Sequence, residues 1–209
     1  MQCSKCKNPA IVSQPYSGQH LCQDHFIVEF EAKAKRAIRK TRGMQPGDHI
    51  AVILRGDGGS GALFAFFQKL AGKRHDIRIS GIRCTGTGDD GQEIAQEAGA
   101  TRLAFATSLE EASSSALVSF LRGEAGCFGT NAPALPRVTP FSHIPEQEIA
   151  IYARITGAGG HSGSIRGAQD PFTAEVRVML AAYTERHPAA PHAVLGLAES
   201  LEHAFWRRG

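Results

Sequence analysis

The stretch HIAVILRGDGGSGALF (His49–Phe64) passes from a six-residue, mainly apolar run through a glycine-rich bend into a second apolar-rich segment. A short apolar run bounded by a bend reads as a buried strand, and Ser60–Leu70 after it carries a helical repeat. Strand, glycine bend and helix in this order present backbone N–H groups at a helix N-terminus, which suits a phosphate. The alternation continues downstream with strand Ile77–Ile82, helix Gly91–Glu97, strand Thr101–Ala106 and helix Leu109–Leu121. Strands alternating with helices of this length predict an α/β core, a parallel sheet with helices on both faces.

Working outward from that core, Phe26–Arg42 has apolar positions at Phe26, Phe30, Ala34, Ala37 and Ile38, a helical spacing that ends at Gly43. Beyond Arg122 the composition turns to Gly, Ala and Pro, followed by a short VTPF segment, a helix opening at Ile144–Pro145, a second glycine-rich stretch at Gly157–Gly167, and helices Pro171–Glu185 and Pro191–Phe205. The expected organisation is a metal knuckle over 1–26, an α/β core over 27–122 and a C-terminal helical extension over 123–209. A chain of 209 residues with 42% hydrophobic content can bury one sizeable core. Its net charge of +3 is compatible with a polyanionic partner without requiring one. No apolar run is long enough to span a bilayer and the N-terminus lacks an apolar signal region, so the expectation is a cytoplasmic protein with no membrane partner.

Three of the five cysteines fall within the first 22 residues. Cys3-x2-Cys6 and Cys22-x2-His25 are two close ligand pairs on two turns, and a tetrahedral Zn2+ takes four such nitrogen or sulfur donors. With all four positions filled by protein, no place remains for a reactive water, so the expected role is structural. His20 competes for the fourth place, but Cys22-x2-His25 mirrors the first pair. The following helix carries Lys33, Lys35, Arg36, Arg39, Lys40 and Arg42, a candidate surface for an RNA backbone. A solvated helix face is the plainer alternative.

Gly56-x-Gly58-x-x-Gly61 formally matches a dinucleotide fingerprint, but the acidic residue expected about twenty positions on is missing, since the second strand ends in SGIRCTG. A glycine-rich connector that binds nothing is a further reading. A Cys-x2-Cys…Cys-x2-His knuckle, a basic helix ending in RAIRKTR, a PGDHIAVIL strand and a glycine loop, followed by RVTPFSHIPEQEIAIYA and FTAEVRVMLAAYTERHP, together resemble the tRNA 2-thiouridine synthetases. These are ATP-dependent sulfurtransferases of the PP-loop superfamily, with the adenine nucleotide α-hydrolase-like fold. The resemblance implies an adenine nucleotide at Arg55, Gly56, Asp57, Gly58, Gly59, Ser60 and Gly61, with Glu110 and Glu111 in place of a second acidic motif, and tRNA as a partner. It also implies dimers or a paralogue partner.

The chain departs from that family where chemistry is done. Its phosphate loop reads Ser-Gly-Gly-Lys-Asp-Ser in the family, and the lysine and aspartate positions here are Gly58 and Gly59. Losing a cation that stabilises developing phosphate charge costs about 3 kcal/mol or more of transition-state stabilisation, so no catalytic residue is assigned. The family's central Cys-x2-Cys segment and its later cysteine have no counterparts. Cys84 and Cys127 alone are too few for a cluster that takes three or four ligands, which argues against an iron–sulfur centre. The expected function is a degenerate, shortened relative that binds zinc, ATP or AMP, and tRNA with activity reduced or absent. Its competitor is a zinc-stabilised interaction or regulatory module serving an active paralogue. Gly160–Ser164 resembles a nucleophile elbow but has serine where its second glycine belongs.

Overall fold

The computed structural model describes residues 1–41, 43–72, 74–84, 91–124, 135–158 and 170–206. They fall into two compact units. The first comprises residues 1–29, 109–130 and 169–209, and the second residues 30–108 and 131–168.

The first unit opens with an antiparallel hairpin of β1 (Val12–Gln14) and β2 (Gln19–Leu21), with Val12 opposite Leu21. Its turn closes on Gly18, whose φ of 66° is accessible to glycine without strain. Helix α1 (Gln23–Lys40) follows directly, its residues 23–29 counted in this unit and 30–40 in the second, with Asp24 in its first turn and Arg39 and Lys40 in its last, each sign matched to the helix dipole. The remainder of this unit is helical: α4 (Leu109–Leu121), α6 (Pro171–Arg186) and α7 (Ala190–Trp206), with α4 packed on both others. The buried Ser113 and Ser114 on α4 donate their hydroxyls to the carbonyls of Leu109 and Glu110, so the burial leaves neither unsatisfied. Asp170 caps α6 by accepting from the Thr173 N–H, and Pro171 stands at the first turn, where no N–H is needed.

The second unit is a four-stranded parallel sheet of β3 (His49–Leu54), β4 (Arg78–Arg83), β5 (Arg102–Ala104) and β6 (Arg137–Val138), in the order β4-β3-β5-β6. Strand β3 is buried over Ile50–Ile53, as a central strand of a covered parallel sheet must be. Ala51 and Ile53 join Ile82, Leu103 and Phe105 in a cluster with Ala95 of α3 (Gln92–Glu97). Helix α2 (Gly58–Ala71) packs on β3 and β4 and against α5 (Glu146–Ile155). Here Phe30 stacks on Tyr152 at 4.1 Å, and Phe141 meets Phe30 and Phe66 edge-on. The VTPF segment enters the sheet only through Val138, which with Arg137 forms the two-residue β6.

From β3 the chain crosses to β4 on one side and then to β5 on the other. Strand order therefore reverses between β3 and β5, and at their carboxyl ends an open α/β sheet leaves a crevice. The glycine loop leaves β3 at that edge.

Candidate functional site

The loop's first residue, Arg55, is exposed, and Gly56 has a φ of 77°, which turns the chain sharply off β3. Asp57 is the N-cap of α2, its Oδ1 accepting from the Ser60 N–H at 2.7 Å. The Ser60 hydroxyl is buried, donates to the Asp57 carbonyl at 3.1 Å and accepts from the Arg55 N–H at 3.2 Å. The loop is thus held in shape by its own polar groups, and an anionic side chain already lies at the helix N-terminus. A Cβ on Gly61 would stand 2.6 Å from the backbone oxygen of Ala158, so glycine is required for that approach. A Cβ on Gly59 would meet only ordinary neighbours, the nearest at 3.6 Å.

Two residues absent from the expected site lie beside the loop. Phe105, immediately past β5, has the Arg55 guanidinium carbon 5.8 Å and the Arg137 guanidinium carbon 5.2 Å from its ring centroid. No spacing signals this triplet, because parallel pairing alone brings residues 55, 105 and 137 to one edge. Glu110 and Glu111 open α4 in the first unit, half-buried, while the loop belongs to the second.

At the N-terminus, Cys3, Cys6, Cys22 and His25 converge with all ligand atoms within 4.8 Å of one another. Cys6 Sγ lies 3.7 Å from Cys22 Sγ, and His25 Nδ1 lies 3.3 Å from Cys22 Sγ and 3.6 Å from Cys3 Sγ. A tetrahedral ion about 2.3 Å from each sulfur spaces two sulfurs about 3.8 Å apart, so the donors fit a single ion. Burial alone would raise the Cys3 thiol, but backbone N–H groups of Cys22, Lys5 and Cys6 outweigh it and hold the thiol at about 6. Such donors favour the thiolate a metal needs. The expected fourth ligand His25 is in place, whereas the Nδ1 of His20 is buried without a hydrogen-bond partner. Lys5 pairs with Glu29, tying the knuckle to the first turns of α1.

The basic face of α1 divides. Lys33 pairs with the buried Glu148 at 3.4 Å and Lys35 with the buried Glu31 at 3.2 Å, so both serve the interior. Arg36, Arg39 and Lys40 are exposed. Arg42, Cys127 and the Gly160–Ser164 elbow lie outside the described residues.

Comparison with known proteins bears on both halves. Residues 2–27 match the N-terminal LIM domain of the 2-thiouridine synthetase TtuA. The chain is 21% identical to the tRNA 2-thiolation protein NcsA of Haloferax volcanii over 278 positions, covering 96% of this chain and 87% of the relative. That span exceeds the chain's 209 residues, so the relative carries internal segments for which this chain has no counterpart. A shorter match, 34% over 76 residues, links 36% of the chain to 22% of the cytoplasmic tRNA 2-thiolation protein 1 of Drosophila grimshawi. In structure the chain is similar to the U34-tRNA thiolase NcsA of Methanococcus maripaludis, solved with its [4Fe-4S] cluster, at a TM-score of 0.78 and 17% identity, covering 97% of this chain and 88% of that one. Fold and knuckle define an α/β protein with a four-stranded parallel sheet and an N-terminal cluster of Cys3, Cys6, Cys22 and His25 able to hold a metal. Within that class, the chain's similarities are to tRNA 2-thiolation proteins, through its first residues and, at low identity, over most of its length.

One expectation is corrected. The iron–sulfur cluster was argued against by counting only Cys84 and Cys127, yet a chain of the same fold carries [4Fe-4S]. The physical reason is that the count left out Cys3, Cys6, Cys22 and His25, whose thiolate-rich donor set suits iron as well as zinc. No helix among the described residues is long and apolar enough to cross a membrane.

Proposed function

We propose that this chain is a tRNA-binding member of the 2-thiolation family whose α/β core holds an adenine nucleotide without efficiently turning it over. The observation that carries this reading is the position of loop 55–61, which leaves β3 at the reversal of strand order and runs straight into the N-terminus of α2. Backbone amides there can hold a pyrophosphate, while Gly58 and Gly59 bring no charge to activate it. Exposed Arg36, Arg39 and Lys40 would contact the RNA backbone, and the site of action is the cytoplasm. Loss of a salt-sensitive tRNA gel shift on reversing these three residues to glutamate supports the RNA surface, and an unchanged shift removes it.

A second reading draws on Asp57. Its carboxylate satisfies the Ser60 N–H, and an anion resident at the helix N-terminus opposes a phosphate there. If it stays, the chain acts as a metal-stabilised interaction module partnering an active tRNA-modifying protein. Calorimetry with ATP separates the two: saturable binding lost on Ser60→Ala supports the nucleotide site, and no heat at high ATP leaves the module. The identity of the N-terminal metal is read from elemental analysis together with visible absorption, in which iron–sulfur sites absorb and Zn2+ does not.

A further inference from the structure

Helix α6 is apolar on both of its faces. Val176 and Leu180 are buried, and α6 packs with α4 and α7. The other side of the helix is exposed yet still apolar: Val178 is 71%, Met179 53% and Tyr183 49% exposed, and Ala182 is exposed beside them. A helix that is apolar all round belongs in an interior, covered on every side. Contiguous apolar surface on a folded chain marks a place where something else sits.

The order of charge along that face identifies the occupant. At helical spacing Glu175, Val178, Met179, Ala182 and Arg186 fall on one stripe, as i, i+3, i+4, i+7 and i+11. The stripe begins on an exposed carboxylate and ends on an exposed guanidinium, with only apolar side chains between them. Against a second copy of α6 laid antiparallel, with the two-fold axis passing between Leu180 and Ala181, Glu175 faces the partner's Arg186. Met179 then faces the partner's Ala182, a long side chain against a short one, and Val178 faces the partner's Tyr183. Each of these pairs occurs twice, as an isologous interface requires. Laid parallel, the same stripe would set carboxylate on carboxylate and guanidinium on guanidinium.

We propose that the exposed face of α6 is a two-fold interface between two copies of this chain, each α6 lying antiparallel to its counterpart with Glu175 on the partner's Arg186. The proposal stands on α6 alone and is independent of the nucleotide and RNA readings above. One helix pair is a small interface, so the dimer is reversible rather than obligate. Charges at the ends of the stripe fix direction and register, and the apolar residues between them supply the burial.

The test uses the full chain, loaded with its metal, in sedimentation velocity over micromolar concentrations. The mass is expected to rise with concentration from 22.3 kDa toward twice that value. Met179→Glu should hold the chain as a monomer, with a melting temperature equal to that of the parent under dilution. Met179→Gln takes its place if the glutamate variant fails to melt as the parent does. Glu175→Arg and Arg186→Glu should each weaken the dimer by about tenfold, and the two together should restore it, which neither a parallel pairing nor an interface elsewhere would do. A chain that is monomeric at every concentration overturns the proposal, as does a dimer untouched by the Met179 variants or a double reversal that fails to restore association. Loss of tRNA affinity in Met179→Glu at unchanged mass gives the face to RNA and overturns it too. Each of these results leaves the proposed function standing.

Discussion

Glu31 shows how one buried charge organises its surroundings. It accepts from Lys35 one turn along α1, from Lys69 on α2 and from the Tyr152 hydroxyl on α5. Burial alone would raise its carboxyl, but the hydrogen bonds from Lys69 and Lys35 outweigh that and hold it below the ordinary range, while burial and the charge of Glu31 push the Tyr152 phenol up. A depressed carboxyl contributes stability that is fully present above its unfolded value of about 4.3 and is lost as pH falls through the folded value. Glu31→Gln should therefore destabilise the protein by about 1–2 kcal/mol at pH 7. The gap in melting temperature from the parent should narrow between about pH 5 and pH 3, and a gap independent of pH would show that Glu31 is not the titrating group. At the glycines, Gly61→Ala drives a Cβ toward the Ala158 carbonyl and should cost about 1–3 kcal/mol in urea melts.

At the scale of elements, α1 and α2 separate roles that composition runs together. Reversing Arg36 and Arg39 to glutamate should abolish tRNA binding while changing stability by no more than about 0.5 kcal/mol. Lys33→Glu should lower the melting temperature instead, because it faces the buried Glu148. In α2, Asp57→Ala removes the cap and should cost about 1 kcal/mol. The same change vacates the anion's place, so pyrophosphate affinity should rise as stability falls, and calorimetry beside thermal melting reads both. The helices and the strands β3, β4 and β5 were legible because each has its own period, as Phe26, Phe30, Ala34 and Ile38 show for α1. The hairpin was not, since VSQ and QHL are three residues each and partly polar. Nor was the internal use of Lys33, because Glu148 lies more than a hundred positions away in the chain.

For the molecule as a whole, the two units respond differently to loss of metal. Stripping the ion with a chelator should release amide protection over residues 2–27, where the four ligands converge, while protection in β3 and β5 persists. Hydrogen exchange followed by mass spectrometry checks this, and loss of protection throughout the sheet would refute it. The metal ligands were readable because two x2 spacings place all four on adjacent turns. The edge that gathers Arg55, Phe105 and Arg137 was not, because only the pairing of β3 with β5 and β5 with β6 brings them together.

Gly59 and Gly61 differ in what their surroundings allow. Packing forbids a side chain at 61 but admits one at 59, where the neighbours of an added Cβ stand at 3.6 Å or beyond. Nothing steric thus demands the smaller residue at 59, so an acidic side chain can be introduced beside the loop without rebuilding the scaffold around it, whereas position 61 admits none.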